Sequence, residues 1–540
     1  MPHPHTLRPM TLALLLVLAD FLSVRAADRP PQFDLPSHPG SIVLVGGGAF
    51  PQQIQERFLQ LAGGKNASLV IIPTADEKAD TADQEAALTA WKKRGFTTVT
   101  WLHTRDRATA DSPAFVEPLV KATAVWFEGG SQDRIAAAYV GTAFERELLA
   151  VLQRGGVIGG TSAGAAVMSR VMIERGNPVP DIGTGFDVVP GVIIDQHFSQ
   201  RARQPRLINA LGRHPGLVGL GIDEGTALIV RGRQLDVLGE GRVIVCITAG
   251  NGRAATQTVL KPGAPADLVG LRRAAYFRTL PPFPAEEVPV PEVSSGSLLI
   301  VGGGAMPKPL VDRFIELAGG PDALIIVLPT ANPPTPVPSK EARFLEVAGA
   351  KRVKLLSATT QAEIESPEFL ETVAQAGGVW FGGGRQWRFL DAYEGTKALP
   401  AFHAVLKRGG IIGGSSAGAT IQGDLLVRGS PLGNTIMLAE GYERGFAFLP
   451  GTAIDQHFAQ RKRFGDMSHV MAVHPQLLGI GLDEGTALLV RGHTAEILGQ
   501  SNAHFFDRRK PLVAGEPDYE TVGTGKKYDL KLRQVIEKGE

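Results

Sequence analysis

The stretch Gly155-Gly156-Val157-Ile158-Gly159-Gly160-Thr161-Ser162-Ala163-Gly164-Ala165 decides how this chain is read. A short apolar run enters glycines, and the Gly-x-Ser-x-Gly pattern around Ser162 then passes into small helix-forming residues. Strand, tight turn and helix in that order present a serine hydroxyl at the end of a strand, with glycine on both sides because side chains there would clash. A single pattern of this kind often serves only as a packing turn. Here it returns as Gly413-Gly414-Ser415-Ser416-Ala417-Gly418-Ala419, in the same context, which favours nucleophiles at Ser162 and Ser416.

Working outward from the two serines, the whole chain is seen to repeat. Ser41-Ile42-Val43-Leu44-Val45-Gly46-Gly47-Gly48-Ala49 returns as Ser297-Leu298-Leu299-Ile300-Val301-Gly302-Gly303-Gly304-Ala305, and later blocks return in the same order. A spacing of about 255 residues is far too long for solenoid units and describes two whole domains. We expect domains at 41–280 and 297–515, joined by a proline-rich extended linker at 281–296, with polar tails at 27–40 and 516–540. Within each copy, apolar runs such as Leu69-Val70-Ile71-Ile72 and Val125-Trp126-Phe127 alternate with amphipathic stretches such as 53–61. That alternation predicts an α/β fold whose mostly parallel sheet is covered on both faces, with the site at the carboxyl ends of the strands.

Composition narrows the partners. The chain has 540 residues, and 55 Lys+Arg nearly cancel 54 Asp+Glu, so no overall charge attracts it to nucleic acid. At the N-terminus Arg8 precedes an apolar run from Leu12 to Leu18, and Val24-Arg25-Ala26 fits a cleavage site, so residues 1–26 are expected to be a signal peptide. Asp20 interrupts that run, which argues against a retained membrane anchor. A secreted or periplasmic location follows, with no membrane attachment after cleavage. Cys246 is the only cysteine, so no intrachain disulfide can form.

A serine nucleophile needs a base and a group to orient it. His197 in Asp195-Gln196-His197-Phe198 and Glu224 in Gly221-Ile222-Asp223-Glu224-Gly225 fit, and His457 and Glu484 stand in the matching places of the second copy. The order Ser, His, acid differs from the Ser, acid, His order of α/β-hydrolases. Asp195, on the same strand face as His197 by its spacing, is an alternative orienting acid or a substrate ligand. Backbone amides at Ala163 and in the Gly129-Gly130-Ser131-Gln132 loop suit an oxyanion hole, as do those at Ala417 and Gly384 in the second copy. Arg201, Arg203 and Arg206 could grip substrate carboxylates. The Gly46 to Gly48 turn falls short of a dinucleotide fingerprint, because Pro51 stands where the third glycine belongs. Neither a metal nor a cofactor is called for.

Taken in order, the Gly-Gly-x-Gln loop, Gly-Gly-Thr-Ser-Ala-Gly-Ala, Asp-Gln-His-Phe, the arginine run and Gly-Ile-Asp-Glu resemble peptidase family S51, in particular its cyanophycinase branch. The resemblance implies two tandem copies of a class I glutamine amidotransferase-like three-layer sandwich. It also implies a metal-free acyl-enzyme mechanism on the β-aspartyl-arginine bonds of a cyanophycin-like polymer or peptide, or on aspartyl dipeptides. Gln132, Asp195, Gln196, Arg201, Arg203 and Arg206 would then line the substrate pocket, and Gln386, Asp455, Gln456, Arg461 and Arg463 would do so in the second copy. There Asp466 replaces the third arginine, and as a neighbour of Arg461 and Arg463 it should weaken their pull on a carboxylate. A secreted binding protein with relic serine sites is the rival from another class, and assembly into a homo-oligomer stays open.

Overall fold

In the first domain the strand Ser41–Val45 is buried along its whole length, yet its side chains divide between two cores. Ile42 and Leu44 enter one apolar cluster, Val43 and Val45 another on the opposite face. Successive side chains of a strand point to opposite faces, so an uninterrupted apolar run means a sheet covered twice. In the second domain Leu298 and Ile300 divide from Leu299 and Val301 in the same way. Each domain is thus a three-layer α/β sandwich. The computed structural model describes residue 33 and residues 38–334 and 341–537. The signal peptide expected at 1–26 lies outside the described residues, as does most of the 27–40 segment.

The main sheet of the first domain has eight strands. Ser41–Val45, Val157–Thr161, Ala124–Phe127, Ser68–Ile72 and Thr98–Trp101 run parallel in that spatial order. Thr226–Arg231 and Gln234–Gly239 add antiparallel on the other side of Ser41–Val45. A separate four-stranded sheet contains Val192–Gln196 beside Val218–Ile222. The chain leaves the small sheet at Ile222 and enters the main one at Thr226, so Asp223, Glu224 and Gly225 form the step between sheets. The second domain repeats this plan with nine- and five-stranded sheets.

Two segments expected to lie outside the domains are built into the second one. The chain divides between Pro282 and Phe283, and Phe283 and Val288 pack against a cluster that includes Met467 and Val470. Val293 already belongs to the strand Val293–Val301. The supposed tail at 516–540 carries the strands Glu520–Gly523, Lys527–Asp529 and Gln534–Ile536, which extend both sheets. Tyr528 is buried and stacks on Phe505 with ring centroids 3.7 Å apart. These strands are too short and polar to show a period in sequence; pairing with a strand already in place supplies their order.

Candidate active site

The serine turn is shaped by what its glycines admit. A Cβ on Gly159 would enter the Trp126 and Phe58 rings, and one on Gly160 would strike the backbone of Gly164, so the helix Ala163–Ala166 can sit directly on the strand Val157–Thr161. Ser162 takes φ 53° and ψ −112°, and Ser416 takes 56° and −113°. For a residue with a side chain that backbone is strained by about 1–3 kcal/mol, which the packing around the turn must offset. The turn sets a half-buried hydroxyl at the carboxyl end of the strand, within reach of the histidine.

His197 follows the small-sheet strand Val192–Gln196 and Glu224 stands at the step between sheets, so three separate strand ends converge. Ser162 Oγ lies 2.8 Å from His197 Nε2, and His197 Nδ1 lies 2.5 Å from Glu224 Oε1. In the second domain the distances are 3.0 Å from Ser416 Oγ to His457 Nε2 and 2.5 Å from His457 Nδ1 to Glu484 Oε1. Burial lowers the pKa of His197; the bond to Glu224 opposes this, while Arg201 and Arg203 reinforce it. His457 is shifted down for the same reasons, with Glu484, Arg461 and Arg463 in those places. Both imidazoles are therefore held ready to accept a proton at neutral pH.

Sequence reasoning missed the residues that seat this triad. His197 N–H donates to Gly46 O at 2.7 Å, a Cβ on Gly47 would enter the His197 ring, and one on Gly48 would meet the Glu224 carboxylate. Gly302, Gly303 and Gly304 make the same seat for His457 and Glu484. The triple-glycine turn that falls short of a dinucleotide fingerprint is the cradle of His197 and Glu224. Gln200 Oε1 accepts from Glu224 N at 3.1 Å, and Gln460 Oε1 from Glu484 N at 3.0 Å. The signal was present, since His-Phe-x-Gln recurs in both copies.

Beside Ser162 opens a cavity of about 450 Å³ lined by Gln132, Gln196, Arg201, Arg203 and Arg206, together with the segment Glu174-Arg175-Gly176-Asn177, which sequence reasoning did not single out. Gly130, at φ 142°, shares the lining, and a Cβ on it would collide with Ala75 O, so the loop can pass close to the serine only with glycine there. Asp195 is fully buried and does not orient the histidine. Arg206 clamps it, with Nε at 2.7 Å from Asp195 Oδ2 and Nη2 on Oδ1. Arg203 donates to Gln196 O at 2.8 Å, and burial drops its pKa to about 10. Gln132 is buried and donates to Ile173 O at 2.5 Å.

The second domain holds its buried aspartate differently. Arg428, at φ 56°, donates through Nε to Asp455 Oδ2 at 3.0 Å and through Nη2 to Asp466 Oδ2 at 2.5 Å. Arg463 Nη1 donates to Asp455 Oδ1 at 2.7 Å. Asp466 was expected to weaken Arg461 and Arg463; its partner is instead Arg428, which comes from outside the histidine segment. Gln386 donates to Val427 O at 3.0 Å, as Gln132 does to Ile173.

The profile of peptidase family S51 matches residues 42–238 and 298–498, once on each domain. The chain belongs to peptidase family S51. Among similar proteins, a cyanophycinase from Geminocystis herdmanii (strain PCC 6308) is 35% identical over 218 residues, covering 38% of this chain and 80% of that protein. A cyanophycinase from Nostoc sp. (strain PCC 7120 / SAG 25.82 / UTEX 2576) is 34% identical over 248 residues, covering 44% and 83%. Among solved structures, a peptidase from an acI-B1 Actinobacterium aligns at 24% identity over 43% of this chain and 98% of its own, with a TM-score of 0.35. As an S51 member this chain is a tandem duplication. Among the described residues no helix is long and apolar enough to cross a membrane.

Proposed function

We propose that both domains are serine peptidases acting on aspartyl peptide bonds, and that the first cleaves β-aspartyl-arginine linkages of a cyanophycin-like polymer or peptide. The observation that carries this reading is the continuous Ser–His–Glu hydrogen-bond chain in each copy. His197 Nε2 takes the proton from Ser162 Oγ as that oxygen attacks the scissile carbonyl, while Nδ1–H stays directed at Glu224, which stabilises the imidazolium. The amides of Ala163 and Gly130 receive the negative oxygen of the tetrahedral intermediate. His197 then protonates the leaving amine, which departs to leave an ester on Ser162. Water, deprotonated by His197, hydrolyses that ester and restores the hydroxyl. Ser416, His457 and Glu484 repeat these steps with Ala417 and Gly384.

In the cavity Arg201 and Arg203 face substrate carboxylates, whereas Arg206 acts by holding Asp195. The residue pattern from Arg8 to Ala26 supports action outside the cytoplasm. Incubating the purified protein with cyanophycin and with a set of β-aspartyl and α-aspartyl dipeptides tests the substrate. Release of β-aspartyl-arginine from the polymer supports the reading, turnover of dipeptides alone converts it to an aspartyl dipeptidase, and failure of a fluorophosphonate to label either serine points to a binding protein.

A further inference from the structure

The loop that passes the nucleophile differs between the domains at one position. Gly129-Gly130-Ser131-Gln132 has Ser131 where Gly383-Gly384-Arg385-Gln386 has Arg385. Ser131 lines the first cavity, its hydroxyl turned to Asp133, and Asn177 lines the same cavity. Arg175-Gly176-Asn177-Pro178 corresponds in sequence to Arg428-Gly429-Ser430-Pro431. Arg385 Nη2 donates to Ser430 O at 2.6 Å. The guanidinium thus bridges the second domain's counterparts of the two elements that wall the first domain's cavity, and its loop passes beside the serine: a Cβ on Gly383 would lie 3.6 Å from Ser416 Cβ.

This cation is poorly satisfied. Its Nε is buried with no hydrogen-bond partner, and among the described residues no carboxylate pairs with it. Of the neighbouring guanidiniums, Arg428 and Arg463 hold Asp455, and Arg428 also holds Asp466. A half-buried guanidinium without a counter-ion costs desolvation that a bound anion would repay, and its planar fork matches a carboxylate. Burial lowers its pKa, consistent with a charge lacking a negative neighbour.

We propose that Arg385 is the specificity-determining residue of the second site and binds a substrate carboxylate next to the scissile aspartyl bond, so that this site prefers acidic peptides where the first, with Ser131, does not. The proposal rests on the peptidase reading of the Ser416 site. In a Ser162→Ala background, kcat/KM is measured for β-aspartyl dipeptides ending in glutamate and in the neutral glutamine isostere. Replacing Arg385 by Ser should reduce the acidic-over-neutral preference about 10- to 100-fold, chiefly through KM, and Arg385→Lys should keep part of it. The reciprocal Ser131→Arg in a Ser416→Ala background should raise the preference at the first site. An unchanged ratio in Arg385→Ser, with Ser416 still labelled by a fluorophosphonate, overturns the assignment. If Ser416 proves unreactive, the peptidase reading fails separately. Calorimetry of the glutamate dipeptide on the doubly serine-less protein then decides: Arg385→Ser should remove one class of binding site, and unaltered binding overturns the proposal.

Discussion

The buried aspartate two residues before the serine-bonded histidine is held in both domains, but by cations from different places. Asp195 is clamped by Arg206, from the helix Gln204–Arg213 that follows the histidine. At the matching helix position the second domain has Asp466, and Asp455 is held by Arg428, which comes from before its strand, and by Arg463. Meanwhile Arg175, in the segment that corresponds to that of Arg428, points outward to Asp181 at 3.0 Å. An unpaired buried carboxylate costs several kcal/mol, so what persisted through the drift of the two copies is the pairing and not the residue that makes it.

The comparison can be broken first at the nucleophiles. Replacing both Ser162 and Ser416 by alanine should abolish hydrolysis, with a loss on the order of a million-fold, while each single replacement leaves the other domain's profile. A peptide panel silenced by Ser162→Ala alone would reduce the second domain to a scaffold. The orienting acids come next. Glu224→Gln should lower turnover at the first site about 10⁴-fold by favouring the wrong tautomer, and Glu484→Gln should do the same at the second, each read in the background lacking the other serine.

Removing the cations should separate the domains in stability. Arg206→Ala leaves Asp195 with only Arg203, whose Nη1 is 3.7 Å away, and should destabilise the first domain by about 3–5 kcal/mol in denaturant, followed by hydrogen exchange. Arg428→Ala leaves Asp455 bonded to Arg463, so the second domain should lose less, about 1–3 kcal/mol. Equal losses would show that the two arrangements are equivalent. The smallest effect concerns pH. The base must be neutral to act, and its pKa is depressed in both domains, so the acid limb of fluorophosphonate labelling should fall below the ordinary histidine value near 6.5 at both serines. Arg201→Ala removes one repelling charge and should move the limb for Ser162 upward, leaving that for Ser416 in place.

The chain's own order of residues was enough to establish the duplication and the α/β alternation and to single out the Ser, His and Glu that the fold brings together, because each lies in a contiguous block with a local physical signature: a period, a turn, a polar cluster after a strand. A site at strand ends was legible too, but that the strands come from two sheets, with Ser162 on the main one and His197 on the small one, was not. What lay beyond it depends on contacts between distant segments. The triple glycine could be seen but not its purpose, since the ring it admits is about 150 residues away in each copy. The strands of 520–536 became strands only by pairing with neighbours already in place.

A partly buried carboxyl group beside the Gly-Gly-x-Gln loop shows the division most sharply. In the first domain it is Glu128, next to Gly129 and bonded by Trp91 Nε1 at 3.3 Å. The matching residue is Gly382, so the sequence reads as a loss. The fold restores it: Glu341, from another loop, accepts from Asn332 Nδ2 at 2.6 Å and brings its carboxylate to where a side chain on Gly382 would stand. Sequence determines which groups each segment carries; only tertiary packing decides which segment delivers a group to a given point, because that depends on distances the chain order does not contain.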